Sequence, residues 1–524
     1  MIEPLDWVVI GVYLAILLWL GFYFAKGQKS EKDYFLGGRN IPSWAIAMST
    51  TATQCGAISM MSIPAFVALA SGGGMKWLQL ELAVPLAVIL VMALIIPTFY
   101  RSKITTAYEY LERRFSPATR SLISFMFLLS RGLATGCAIY APSFLLSTIT
   151  GFSIVYMILL MSAVTMIYTA VGGIKASIYT DVLQFILLSG SVLILIAVLF
   201  KNVEFTSVVA SIPKGRALGV DFIHTGFDGY DYAFLPAIIG GIFFYSSYYG
   251  LDQSQIQRVL TSKSVDASRS ALFLNCFLRY PLMLGYCILG IFLRGFLSGE
   301  QSLLQAVVIG NNPDALLPLF ISMYLPAGLR GLIIVGILAG AMSTLDSSYN
   351  SLSAATMNDF YTKYIKKEPT AKEYLLWSRL TTLGWAIFCM IFAFFAGRLA
   401  ETIIVGVNKI GAVFYGPILG AFLLGILTKR ARGYGVIAGV LAGVVFNAYL
   451  WFYQPQISWL WWSAIGFLVT FSLGYSLSLT GKIQGEYKVV KSRDKRWSSK
   501  YTVLLLYFVV IVLISYLFNL FLFS

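Results

Sequence analysis

Charge is scarce in this chain. Only 12% of its 524 residues are charged and 58% are hydrophobic, against roughly 25% and 45–50% in soluble domains. The mean hydropathy is +0.79. These values exclude a soluble globular protein, and the high hydrophobicity excludes a disordered one. Histidine is nearly absent: His224 stands alone, in a loop, which removes most histidine chemistry. The five cysteines (Cys55, Cys137, Cys276, Cys287, Cys389) sit inside apolar segments, with no C-x-x-C or Cys/His ligand spacing. Disulfides and zinc-type sites are therefore not expected. No G-x-x-x-x-G-K-[ST] loop occurs, because Gly481-Lys482 is followed by Ile483; ATP-driven transport lacks its phosphate cradle. There is no T-V-G-Y-G filter, no row of voltage-sensing arginines and no His/Asp/Cys cluster at an interface. A channel and an intramembrane enzyme both lack material, and no organic cofactor is expected.

What the chain has is apolar length. Fourteen segments, near residues 5–25, 43–71, 77–99, 119–149, 154–171, 177–200, 232–252, 268–293, 327–357, 375–397, 402–427, 433–453, 459–479 and 503–522, are long enough to cross a bilayer, for which about 20 residues suffice. This predicts an all-α polytopic membrane protein of about 14 transmembrane helices. The first segment follows Glu3 and Asp6 and has no small-residue cleavage site, so it reads as a span and not as a cleaved signal. The net charge of +15 would suggest nucleic acid in a soluble chain, but its distribution points to the membrane. Of 38 Lys and Arg, 28 lie in or beside the loops after odd-numbered spans. Seven (Lys76, Lys201, Lys214, Arg216, Arg294, Arg330, Arg398) lie on the other side. The positive-inside rule then places both termini outside the cell membrane. The inner run Lys488, Lys491, Arg493, Lys495 and Arg496 reads as a solvated face near anionic lipid.

Function shows where polar groups or helix breakers stand at membrane depth. The second span carries Gln54, Gly56, Ser59, Ser62 and Pro64. Such a helix opens easily, and freed carbonyls suit a small hard cation while a freed half-helix N-terminus suits an anion; close packing through small residues is the competing reading. The seventh span, G-G-I-F-F-Y-S-S-Y-Y-G, is the second interrupted candidate, with hydroxyl-bearing faces on Tyr245 and Tyr248. Five spans separate the two. An odd offset inverts the copy, which is the pattern of an inverted-repeat transporter with its site between the broken helices. In the ninth span Gly340, Ser343, Thr344 and Ser347 form one stripe at helical spacing. Its hydroxyls, with carbonyls from the second span, would make a sodium shell, unless they bond back to their own helix. Asp346 stands beside the stripe. Asp181, about one turn inside the sixth span, would ligate a second sodium, carry a proton, or act as a helix N-terminal acid. Arg131, deep in the fourth span, either awaits an anion, for which its planar fork suits a carboxylate, or pairs internally, with Glu81 as the candidate. Arg279 carries the same ambiguity, and Gln79 is an uncharged candidate contact.

Four segments, taken in order, resemble the sodium:solute symporter family: D-Y-F-L-G-G-R (Asp33 to Arg39), G-G-I-K-A-S-I-Y-T-D-V-L-Q (Gly172 to Gln184), Q-I-Q-R-V-L-T-S-K-S (Gln255 to Ser264) and A-G-A-M-S-T-L-D-S-S (Ala339 to Ser348). The resemblance runs from about residue 5 to 480. It implies a LeuT-like, inverted five-plus-five fold in a single transmembrane unit: a peripheral helix at 5–25, repeats at 43–200 and 232–427, and peripheral helices at 433–522. It also implies a first sodium site on Ala52, Cys55, Gly340, Ser343 and Thr344, and a possible second on Asp181, Ser343, Asp346 and Ser347. Substrate would meet Gln54, Ser59, Gln79, Arg131, Tyr245 and Tyr248, with Tyr248 as inner gate. Sugar carriers of the family place asparagine where Tyr245 stands, and the Arg131 segment looks like the sialic-acid branch. The expected function is sodium-coupled import of a small carboxylate-bearing solute such as sialic acid, by a monomer in the cell membrane. A neutral sugar or other neutral solute is the alternative, with Arg131 held by Glu81.

Overall fold

The computed structural model describes residues 2–25, 35–102, 104–310, 312–398, 402–479 and 497–523. Asp33 and Tyr34 of the opening motif and the basic run at 488–496 lie outside them. The described residues form helices and no strand, as a lipid-immersed backbone that must satisfy its own hydrogen bonds requires. Among the described residues, twelve helices are long and apolar enough to cross a membrane. The helices used below are α1 (Pro4–Ala25), α2 (Ser43–Gln54), α3 (Ala57–Ala68), α4 (Met75–Ser102), α5 (Pro117–Thr150), α6 (Ile154–Asn202), α7 (Phe234–Leu251), α8 (Gln253–Val259), α9 (Val265–Gly299) and α10 (Leu329–Thr356). They continue with α11 (Ala371–Ala396), α12 (Ile403–Leu427), α13 (Gly433–Tyr453), α14 (Trp459–Ser478) and α15 (Ser498–Phe523).

The helices pack in two groups. In one, α9 contacts α2, α3 and α4, and α7 contacts α4; in the other, α5, α6, α10 and α11 contact one another. The groups meet where α6 packs on α2 and α9 and where α10 packs on α2 and α3. Helix α12 touches both α5 and α7, α14 packs on α12 and α7, and α1 packs on α6 and α10. The two spans expected at 154–171 and 177–200 are two helical stretches within α6, separated by a kink at Gly173 (φ 60°, ψ −177°). Side chains resist that conformation, so glycine turns the chain there without a loop.

The second apolar segment is broken where the sequence indicates. Helix α2 ends at Gln54, Cys55 leaves the helical region (φ −109°, ψ 34°), Gly56 is extended, and α3 starts at Ala57. Pro64 sits inside α3 without ending it. The other break is displaced from its expected place. Around Tyr248 the chain is regular: α7 runs uninterrupted through Gly240 and Gly241 to Leu251. A Cβ on Gly240 would fall 1.8 Å from the Leu460 carbonyl oxygen, and one on Gly241 2.6 Å from the Ala83 side chain. These glycines admit α14 and α4 to close contact, and helix hydrogen bonding survives. The chain turns instead at Asp252 (φ −69°, ψ 117°), which accepts from the Ser254 amide and so caps α8. At the far end of α3, the guanidinium of Arg216, from the loop after α6, donates to the carbonyls of Val67, Leu69 and Ala70 at 2.8–3.1 Å, which the helix end leaves unpaired.

Candidate functional site

The break between α2 and α3 lies against the polar stripe of α10. Gly56 makes the approach possible: a Cβ there would stand 2.5 Å from the Gly340 carbonyl oxygen and 2.7 Å from Thr344 Oγ1. Thr344 Oγ1 donates to the carbonyls of Thr53 (3.0 Å) and Gly340 (3.1 Å). Thr53 Oγ1 is 3.0 Å from Ser343 Oγ and 3.3 Å from Ser347 Oγ. The Cys55 carbonyl accepts from the Tyr286 hydroxyl at 2.6 Å. The segment holding Ala52 and Cys55 thus meets the one holding Gly340, Ser343 and Thr344. This concentration of oxygen atoms without a carboxylate suits a weakly held alkali cation. Thr53 and Tyr286 were not singled out by sequence; both are the kind of buried hydroxyl that only a neighbour's position makes meaningful.

The residues expected at a second cation site are more committed. Asp181 Oδ2 accepts from Ser49 Oγ at 2.6 Å and from Arg258 Nη2 at 2.9 Å, and Arg258 Nε also donates to Ser49. Both charged side chains are fully buried. Asp346 Oδ1 accepts from Asn350 Nδ2 at 2.8 Å, and Ser347 Oγ bonds back to the Ser343 carbonyl. Asp181 therefore already has a permanent cation beside it. Arg258 lies in the Q-I-Q-R motif, where sequence offered a resemblance but no partner.

Beside the break is a cavity, part of it open to solvent, lined by Gln54, Ser59, Arg131, Tyr245 and Tyr248 among others. Five of the six expected substrate contacts thus share one space. Gln79 does not: it is fully buried outside the cavity, donating to the Tyr232 carbonyl and accepting from the Asp221 amide. It fastens the loop before α7, away from the space where the other five meet.

The two deep arginines are partnered differently from expectation. Glu81 faces Arg279 and not Arg131: Arg279 Nε and Nη2 reach its two oxygens at 2.6 and 3.2 Å. The Tyr245 hydroxyl donates to Glu81 Oε1 at 3.0 Å, and Arg279 Nη1 donates to Gln54 Oε1 at 3.0 Å. This bidentate pair closes a network within one helix group. Arg131 comes from the other group. Its Nε donates to Ser348 Oγ at 3.2 Å, its Nη1 lies 3.6 Å from Asp252 Oδ2, and its buried Nη2 has no hydrogen-bond partner. Asp252 also accepts from the Tyr415 hydroxyl at 3.2 Å, and Tyr415 stacks on Tyr248. Gln255 donates to the Tyr248 hydroxyl and accepts from Gln54 Nε2.

The family model for sodium:solute symporters matches residues 34–443. The chain belongs to that family. It is therefore a multi-pass membrane transporter of the class that moves a solute together with sodium, with the LeuT-like fold. The chain is 32% identical over 446 residues to the sodium/sialic acid symporter SiaT of Proteus mirabilis, covering 84% of this chain and 88% of that one. It is 30% identical over 456 residues to the human sodium-coupled monocarboxylate transporter 1, covering 85% and 72%. Among solved structures it resembles a Na⁺-coupled sialic acid symporter in a substrate-bound outward-open state. There the TM-score is 0.83 at 29% identity, covering 93% of this chain and all of that one.

Proposed function

We propose that this symporter imports a carboxylate-bearing solute of the sialic acid class, driven by sodium held at the α2–α3 break. The observation that carries the reading is Arg131, a nearly buried guanidinium facing the cavity with one nitrogen unpartnered. A buried charge in that state costs free energy that a bidentate carboxylate removes. Relatives named for sialic acid and for monocarboxylates support an acid. Sodium would be seated on the carbonyls of Ala52, Cys55 and Gly340 and the hydroxyls of Ser343 and Thr344, pinning α2 and α3 to α10. Each sodium entering a negative interior supplies about 2.3 kcal/mol per 100 mV, which supports a solute gradient of roughly 50-fold at 1.4 kcal/mol per tenfold. On the charge asymmetry of its loops, the protein sits in the cell membrane with both termini outside, and it works as a monomer without an organic cofactor.

A neutral sugar or other neutral solute is the second reading. It is favoured by the charge balance of the cavity, where Glu81 faces Arg279 and Asp252 faces Arg131. Proteoliposomes separate the two. Arg131→Ala abolishes sodium-driven uptake of the acid while sodium still raises the melting temperature; uptake at the wild-type level rejects the carboxylate role.

A further inference from the structure

Asp252 takes no part in the proposed chemistry, yet it stands behind two residues of the cavity wall, Arg131 and Tyr415. It forms the joint between α7 and α8, and its side chain is about 1% exposed. Its Oδ1 is committed to α8, accepting from the Ser254 amide at 2.9 Å and the Ser254 hydroxyl at 2.6 Å. Its Oδ2 accepts from Tyr415 of α12 at 3.2 Å. What remains for Arg131 is one oxygen at 3.6 Å, beyond hydrogen-bond range. The pair is a Coulombic contact without the fork geometry that makes arginine–carboxylate pairs strong. Arg131 stands on α5, in the other helix group, so this contact ties the two groups together beside the cavity.

A solute carboxylate has no such prior commitments. It can offer both oxygens to the guanidinium, including the unpartnered Nη2. Brought to Arg131, it also places a second anion a few ångströms from Asp252 in a poorly screened site, where like charges repel strongly. We propose that Asp252 is an internal counter-anion that the substrate carboxylate displaces from Arg131, so that occupancy of the cavity releases the α7–α8 joint from α5. This rests on the reading that Arg131 takes the substrate acid. Asp252 thereby becomes a residue that sets affinity for acids and links their binding to movement of that joint, without touching them.

The test is Asp252→Asn. Asparagine caps a helix as well as aspartate does, so α8 is retained while the competing charge is lost. With N-acetylneuraminate as probe and saturating sodium, calorimetry on the purified variant is expected to show at least fivefold tighter binding. Its liposomes are expected to pass sodium without solute, because the joint is no longer held. Tyr415→Phe should act in the opposite direction: it leaves Asp252 Oδ2 to Arg131 alone, so the acid binds more weakly, and in the Asp252→Asn background the same change has no effect. Unchanged or weaker binding by a folded Asp252→Asn, or a Tyr415→Phe effect that persists without Asp252, overturns the inference. Arg131→Gln distinguishes the two failures. If that variant binds the acid as the wild type does, the carboxylate reading itself falls. If it loses the acid while Asp252→Asn shows no tightening, the displacement alone falls.

Discussion

Substituting Gly56 with alanine perturbs the α2–α3 break by one methyl group. The backbone there (φ −74°, ψ −154°) is open to alanine, so the cost is contact and not strain. The added Cβ would meet the Gly340 carbonyl oxygen at 2.5 Å and Thr344 Oγ1 at 2.7 Å. Neither can step aside: one is main chain in the middle of α10, and the other is held by the Thr53 and Gly340 carbonyls. Relief requires α3 and α10 to separate by more than half an ångström, which pulls apart the two edges of the proposed sodium seat. Overpacking of this kind costs about 1–3 kcal/mol. If all of it falls on the sodium-bound state, sodium affinity drops by roughly 5- to 150-fold. Thermal-shift titration with sodium chloride, against choline chloride at equal ionic strength, reads the loss directly. A Gly56→Ala protein with the wild-type sodium midpoint would show that α3 and α10 do not jointly hold the ion.

The double variant Ser343→Ala/Thr344→Ala removes two hydroxyls from the same seat. At about 1 kcal/mol each, the sodium concentration for half-maximal uptake rises roughly 30-fold, and an unchanged sodium curve discards both as ligands. Glu81→Gln leaves Arg279 buried without its carboxylate, a loss of about 3–5 kcal/mol for a broken buried pair. Glu81→Gln/Arg279→Gln should regain part of that stability in a melting experiment, and a double variant no more stable than the single one refutes the pairing as the cause.

The break at Cys55-Gly56 and the stripe on α10 were legible in sequence because each is local. A glycine among polar residues in an apolar run marks an opening, and spacing along one helix fixes one face. The second interruption was misplaced because Gly240 and Gly241 carry the same signature whether they open a helix or admit a neighbour, and here they admit α14 and α4. The true turn is marked by Asp252, which caps a helix only seven residues long. Pairings across the fold were not legible at all. That Glu81 meets Arg279 and Arg258 meets Asp181 depends on how helices nearly two hundred and almost eighty residues apart are laid together, and composition carries no such distance. Gln79 failed for the same reason: its span points it at the loop before α7 instead of into the cavity.

The network of Gln54, Glu81, Tyr245 and Arg279 stitches α2, α4, α7 and α9 into one block. Arg131 and Ser348 stand on the opposing block. The two blocks meet where α6 packs on α2 and α9 and where α10 packs on α2 and α3. The polar crossings described above are Thr53 with Ser343, Thr344 and Ser347, Ser49 and Arg258 with Asp181, and Arg131 with Asp252. On the proposed assignment each crossing adjoins a seat for cargo. Loading the transporter would then rewrite the bolts between two stiff halves while leaving the halves themselves intact.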